Sequence, residues 1–358
     1  MADGQLDAAA VEAALTDFKD PETGRSVVQM EQLSDIQVSG SELSVTLGLT
    51  SWAAPIGGEV RLACEQHLCS AFPDAAITVN RAVHDRRPQP LGEIGLTAKS
   101  IIAVGSGKGG VGKSTISASI AVGLKRSGAK VGLMDADVYG PSIPHLFGVS
   151  SRPQIVDDKI QPVDADGMAL MSMGFMVPPG EAVVWRGPML HGAITQFLRD
   201  TRWGELDYLI IDMPPGTGDI ALTLSQLLPL TGAVIVCTPQ EVALLDAVKA
   251  IAMFRKVNIN VLGMVENMSG FICPDCNQRY DIFGSGGARQ RAEELDVPFL
   301  GDVPIQMQIR ELGDAGRTNA SFDDAKVAPP LDAICHQLVA NLAASASANP
   351  PIPQLPVL

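Results

Sequence analysis

The chain has 358 residues, enough for two domains or one large one with ample core, and a hydrophobic content of 46% excludes wholesale disorder. A net charge of −14 argues against a general nucleic-acid binder, because neutralising phosphates requires a basic surface. Residues 1–20 lack the basic start and apolar core of a signal peptide, no apolar run approaches the ~18 residues of a membrane span, and six cysteines in a chain this long make no disulfide scaffold, so a cytoplasmic protein with free thiols is expected.

Residues 1–84 read as a small α+β unit. Val11, Leu15 and Phe18 share a helical face; Leu43, Val45, Leu47 and Leu49 alternate as a strand; Val60, Cys64, Leu68 and Phe72 form a second helical stripe, and Ala76 to Val79 a last strand. Cys64 and Cys69 sit five residues apart, which turns their side chains about 140° from each other on a helix, so Cys64 reads as core rather than as a ligand. Residues 85–100 carry two prolines, mixed charge and no apolar period, and read as a linker.

The large domain, 101–342, alternates apolar strands at 101–104, 131–134, 208–211, 233–237 and 261–265 with helical patterns. This predicts an α/β fold with a mostly parallel sheet and helices on both faces, its ligands gathered at the carboxyl ends of the strands. The first strand runs into VGSGKGGVGKST, which completes the phosphate-binding pattern G-x-x-x-x-G-K-[ST] of P-loop NTPases between a strand and a helix. Gly107, Gly109, Gly110 and Gly112, with Val111 among them, let the backbone amides curl around phosphate oxygens at a helix N-terminus. Lys113 is placed to reach the β- and γ-phosphates, Ser114 to bind Mg²⁺, and Thr115 closes the run; ATP and Mg²⁺ are the expected cofactors. Lys108 puts a second cation among amides already aimed at an anion.

Asp135 and Asp137 follow the strand at 131–134, and Asp212 follows the strand at 208–211, where acids can orient water or hold the outer shell of a metal. Gly216 is a candidate sensor of the γ-phosphate through its amide, and Asp137 has the alternative of an ordinary turn aspartate. No glutamate follows Asp212, which points to slow hydrolysis suited to a switch. Arg186, in WRGPML, reads equally as an interface or phosphate contact and as a surface ion pair. The guanine-reading motif N-K-x-D is missing around Asn267, which favours ATP over GTP.

The stretch GKGGVGKS resembles the deviant phosphate loop of the MinD, ParA and nitrogenase-iron-protein class of ATPases. The resemblance implies a homodimer in which Lys108 reaches the partner subunit's nucleotide, Asp137 helps activate water, and Asn267 contacts adenine. FICPDCNQRY then carries Cys273 and Cys276 at a spacing that lets both bind one metal or cluster, although such a site takes four ligands. Two pairs meeting on the twofold axis of that dimer supply the four. Structural zinc, a thioredoxin-like redox pair and an accidental pair of thiols are the competing readings.

Taken together, GKGGVGKST, DADVYGPSIPH, WRGPML, DYLIIDMPPGTGD, TPQEVAL, ENMSGFICPDC and IFGSGG resemble the Mrp/ApbC family of iron-sulfur cluster carrier ATPases over about residues 100–320. Residues around DPETG resemble the small iron-sulfur assembly domain that precedes such ATPases, except that Ala54-Pro55 stands where a cysteine often precedes the proline. A docking role is therefore expected for that domain. The resemblance implies a homodimeric ATPase that holds a 4Fe-4S cluster between subunits and passes it to client apoproteins, with iron-sulfur assembly proteins as further partners and neither nucleic acid nor membrane. The alternatives are a positioning ATPase with structural zinc or no metal, and an electron donor of the nitrogenase type. Residues 343–358 are uncharged and proline-rich, and read as a disordered tail without a membrane-binding helix.

Overall fold

The structure is a computed structural model and describes residues 6–92, 94–138, 140–176, 187–216 and 218–348. Arg186 lies outside the described residues. The chain divides into two compact units, one formed by residues to Arg86 with those from Val339 onward, the other by Arg87–Leu338.

In the smaller unit, helices α1 (Ala8–Ala14) and α2 (Gly57–Ala71) accompany a three-stranded sheet of β1 (Leu33–Ser39), β2 (Glu42–Leu49) and β3 (Ala76–Val83). Strand β2 lies in the middle, antiparallel to β1 and parallel to β3. Its inward side chains Leu43, Val45 and Leu47 are buried with Val11, Leu15, Cys64 and Leu68, which realises the alternation and the helical stripes of the sequence. A polar network organises the DPETG segment. The Asp20 carboxylate accepts from Thr23, Gln32 and Arg86, and Arg86 also pairs with Glu22 at 2.6 Å.

The larger unit begins with β4 (Pro90–Leu91) and β5 (Leu96–Gly105), then α3 (Lys113–Arg126), β6 (Val131–Asp135), α4 (Ile143–Leu146), β7 (Gln154–Val156), β8 (Lys159–Gln161), β9 (Val163–Asp164) and β10 (Ala169–Ser172). It continues through α5 (Gly187–Asp200), β11 (Leu206–Asp212), α6 (Gly218–Leu227), β12 (Gly232–Cys237), α7 (Glu241–Lys256) and β13 (Val261–Ile272). The last elements are β14 (Arg279–Tyr280), α8 (Gly287–Glu294), β15 (Phe299–Ile305), α9 (Met307–Asp314) and α10 (Ala328–Ala348), whose final residues belong to the smaller unit. A ten-stranded sheet runs β14-β13-β12-β5-β11-β6-β10-β9, with β15 also on β13 and β4 on β5. From β15 through β13, β12, β5, β11 and β6 to β10 every pairing is parallel. Strands β6, β11 and β12 are buried at every position, as a sheet covered on both faces requires. Each fully buried Leu or Ile there contributes roughly 1.5–3 kcal/mol.

Two boundaries differ from the sequence expectation. Strand β5 starts at Leu96, inside the stretch read as a linker, and β4 lies there too. The apolar period was masked by Lys99, whose ammonium is buried and paired with Asp207 at 2.8 Å. The carboxylate of Asp207 also accepts from the Lys130 amide, 2.8 Å, so the charge sits inside a satisfied network rather than in solvent. At the other end, residues 343–348 are helical rather than disordered. Ala340, Ala343, Ala344 and Ser347 line one groove with Phe18, Ile56 and Val60, Lys19 donates to the Ser347 carbonyl at 2.9 Å, and a Cβ added at Gly24 would lie 2.1 Å from the Ala346 carbonyl oxygen, so the helix end is held against the DPETG segment.

Candidate functional site

The carboxyl ends of β5, β6 and β11 bring three sequence candidates together. Lys113 begins α3 after the loop, and its ammonium lies 2.8 Å from Asp212 and 3.5 Å from Asp137. Asp212 ends β11 and is wholly buried; one oxygen accepts from Lys113 and from Ser114 (2.6 Å), the other from Ser117 (2.6 Å). A hydroxyl and a carboxylate oxygen side by side form a donor set that suits a hard cation such as Mg²⁺. Sequence reasoning missed Ser117, because only the fold shows that one helical turn after Ser114 its hydroxyl faces the same acid.

Asp135 is also buried, and it ties the following loop down. It accepts from the amides of Asp137 (3.1 Å) and Ile143 (3.1 Å) and from the Ser172 hydroxyl (3.0 Å). Burial, aided by the Asp212 charge, pushes its carboxyl up to about 7, and burial likewise raises Asp212. Ser172 carried no sequence signal; it enters through the parallel pairing of β10 with β6, which sets Ser172 opposite Asp135.

The loop itself reaches α3 through Gly112, at φ +82, whose backbone caps the helix without a side chain. The first amides of α3 have no intrahelical acceptor, and with the helix dipole they make an anion cradle. A Cβ on Gly112 would meet the Asn267 amide nitrogen at 2.1 Å, and that nitrogen donates to the Val111 carbonyl at 2.9 Å. Gly107 is pressed against α7, where an added Cβ would lie 2.1 Å from the Asp246 carbonyl oxygen. Lys108, Thr115 and Ser114 are half-buried, Val111 is buried, and Gly109 and Gly110 are exposed. Gly216 is brought against the loop, but its amide donates to the Ser106 carbonyl at 3.0 Å instead of pointing free toward a phosphate, because the loops after β5 and β11 run side by side. Beside the start of α3, a cavity of about 360 Å³ is lined by Gly112, Thr115, Asn267, Met268, Pro304 and Ile309.

Removing the Ser117 hydroxyl tests how tightly this acid is held. Ser117→Ala is expected to lower stability by about 1–3 kcal/mol, since a buried carboxylate loses a donor; urea denaturation measures it, and an unchanged midpoint would show that Asp212 does not depend on this bond.

Cys273 and Cys276 lie in the reversal between β13 and β14. The strands pair Phe271 with Tyr280 and Ile272 with Arg279, after which the Cys273 amide donates to the Gln278 carbonyl and the Asn277 amide to the Cys273 carbonyl, both at 2.9 Å. Asn277 takes the left-handed conformation, φ +56, that closes this turn. The amides of Cys276 and Asp275 and the Cys276 thiol all point at the Cys273 sulfur and hold its pKa below the ordinary thiol range. Cys64, Cys237 and Cys335 are buried, and burial pushes each up to about 12. Brief iodoacetamide treatment of the metal-free protein at pH 8 is thus expected to label Cys273 first and spare those three; peptide mass mapping reads the order, and early labelling of Cys237 or Cys335 would contradict it. Among the described residues no group of three or more His, Cys, Asp or Glu side chains is arranged to hold a metal. Exposed apolar side chains flank the hairpin, Ile282 at 59% and Tyr280 at 46% exposure. Glu266, two residues before Met268, is buried and structural: its oxygens accept from the amides of Gly286 and Ala288 at the start of α8.

An iron-sulfur cluster carrier protein of Deinococcus radiodurans is 43% identical over 96% of this chain and 98% of its own length. The nucleotide-binding protein of Archaeoglobus fulgidus, solved in complex with ADP, superposes with a TM-score of 0.56 at 44% identity, covering 62% of this chain and 88% of that one. The cell division ATPase MinD of Pyrococcus furiosus shares the fold at 22% identity, TM-score 0.50, over 66% of this chain and 97% of its own. Residues 8–79 match the iron-sulfur cluster assembly protein family. Residues 97–339, which hold the phosphate loop, the three aspartates and the thiol hairpin, match the family described as NUBPL iron-transfer P-loop NTPase, and the chain belongs to that family.

Proposed function

We propose that the chain is an ATP-hydrolysing carrier that holds a 4Fe-4S cluster between two copies of itself and delivers it to client apoproteins. The observation that carries this reading is the thiol hairpin. It offers two sulfurs in one hydrogen-bonded turn, no third ligand stands with them among the described residues, and a cluster takes four. A second copy related by a twofold axis supplies the missing pair, and the exposed apolar side chains beside the hairpin suit such an interface. The carrier named as a relative spans nearly the whole chain, which favours the same role for both units here.

In this reading the amides at the start of α3 and the Lys113 ammonium bind the phosphates of ATP, while Asn267 and the cavity beside it receive the base. Ser114, with the Asp212 carboxylate hydrogen-bonded to it, would hold a Mg²⁺ ion, which would supply charge neutralisation for the phosphates. Asp137, held by its loop within 3.5 Å of Lys113, orients the attacking water, and Lys108 serves the partner's nucleotide. Met213 rather than a carboxylate follows Asp212, so turnover is slow. The smaller unit, lacking a cysteine before Pro55, acts in docking iron-sulfur assembly proteins or clients. A positioning switch would explain the phosphate loop but leave the hairpin without a role.

Anaerobic reconstitution with iron and sulfide tests the proposal. About four irons per two chains, a broad charge-transfer absorption band and a dimer in sedimentation are expected. Zinc binding alone, or a monomer with no cluster, would refute it.

A further inference from the structure

Beside the thiol hairpin the surface opens into a cavity of about 320 Å³, lined among others by Ile272, Cys273, Gln306, Met307, Gln308 and Lys326. Two elements build it. Strand β13 ends in Ile272 and delivers Cys273 to the rim, while Gln306 caps α9 and Met307 begins it. The Gln306 amide donates to the Lys326 carbonyl at 2.9 Å, which fixes the segment carrying Lys326 to the cavity wall. Ile272 and Met307 are 38% and 44% exposed, and Lys326 is exposed with its ammonium in no ion pair among the described residues. Of the two hairpin thiols only Cys273 is on this side. Gln306 also lines the cavity beside Asn267, so the N-terminal end of α9 with its cap is a wall common to both.

We infer that this cavity docks the acceptor during cluster transfer, taking a short extended segment of the apoprotein that carries an acidic residue, a bulky apolar residue and a cluster-ligating cysteine. The inference rests on the carrier reading. The size sets the class of occupant: 320 Å³ is at the lower end of ligand pockets and accommodates one or two apolar side chains, not a helix. Charge sets its sign. On a chain of net charge −14, an exposed lysine without an ion pair at an apolar cavity selects a carboxylate from the partner. Continuity with Cys273 sets the chemistry, because a segment held there presents its own thiol beside one cluster ligand. The exchange is redox-neutral: the acceptor sulfur bonds to a cluster iron as the iron–Cys273 bond breaks, and the proton of the acceptor thiol passes to the Cys273 sulfur. The amide side chains of Gln306 and Gln308 are available to the backbone of an extended segment.

Transfer kinetics from the reconstituted full-length protein to an acidic apo-ferredoxin with four cluster cysteines test this. Lys326→Glu and Met307→Asp are each expected to slow transfer about tenfold while cluster content and ATP turnover stay at wild-type levels, and Lys326→Arg is expected to retain the rate. Unchanged transfer in both loss variants overturns the inference. Loss of cluster content or of the dimer in those same variants overturns it too, because the cavity would then be covered by a second copy. A wild-type protein that takes up no cluster is a separate result, which removes the carrier reading and the inference with it.

Discussion

Lys113→Ala is expected to reduce ATP turnover by roughly 10²–10³-fold, the cost of deleting one preorganised charge-stabilising donor. The same change has a structural cost, because Lys113 is the cation nearest to three acids. It lies 2.8 Å from Asp212, itself wholly buried, and 3.5 Å from Asp137, while Asp135 already titrates at about 7. Without the ammonium, Asp212 keeps only hydroxyl donors from Ser114 and Ser117. Breaking a buried pair costs about 3–5 kcal/mol if the orphaned acid stays ionised, but a carboxyl already raised by burial can instead bind a proton. The sign follows from linkage. An acid whose folded pKa exceeds its unfolded value, near 3.9, contributes stability that is present below that value and lost as pH rises through the folded pKa. For Asp135 in the wild type the loss is complete a little above 7. In the variant Asp135 loses the attraction of that cation and titrates higher still, so its share of the destabilisation relative to wild type is expected to be small at pH 6 and to grow toward pH 8. Urea denaturation at the two pH values checks this, and turnover measured at pH 6, where the variant remains folded, separates chemistry from stability. Normal turnover there would remove Lys113 from the site.

Local spacing made the phosphate loop legible, since glycines, lysine and serine act within one turn of chain and no distant element is needed to identify them. The parallel sheet was legible for a similar reason: buried strands such as Leu209–Ile211 read as uninterrupted apolar runs. What the sequence hid are the polar groups whose partners arrive through tertiary pairing. Lys99 looked like a solvent charge and hid the start of β5 because Asp207 follows more than a hundred residues later. Ser172 reaches Asp135 only through strand register, and Ser117 reaches Asp212 only across the helix–sheet packing. The contact of Gly216 with the loop is of the same kind, since its amide donates to the Ser106 carbonyl more than a hundred residues earlier. At the C-terminus, the uncharged, proline-rich composition of 343–358 suggests disorder, whereas alanine and serine, which need no special backbone, let α10 continue to Ala348, where Gly24 approaches the Ala346 carbonyl.

Replacing either hairpin cysteine by serine is expected to bring iron uptake from about four per dimer to near zero, while the Michaelis constant for ATP stays within about twofold of wild type. The two effects separate because the thiols lie in the β13–β14 reversal and none of the loop residues bonds to them. Serine keeps the size and a donor, so the turn closed by the Gln278 and Asn277 hydrogen bonds, both made by backbone, survives the change. Uptake alone does not show that the cluster bridges two chains, and a mixed dimer does. Wild-type chains and Cys273→Ser/Cys276→Ser chains, carrying different affinity tags and purified in tandem, give a particle with a single thiol pair. A cluster that needs both pairs leaves this particle without iron, whereas a site complete within one chain leaves about half the wild-type content. Half occupancy would therefore overturn the bridged arrangement even if every single-cysteine variant behaved as expected. The serine variants also test the hydrogen bonds to sulfur. Cys273 owes its lowered pKa first to the Cys276 and Asp275 amides, with a smaller share from the Cys276 thiol, so in Cys276→Ser it should remain the fastest-alkylated thiol of the metal-free protein. Iron loss with that reactivity intact would place the defect in ligand count rather than in the shape of the turn.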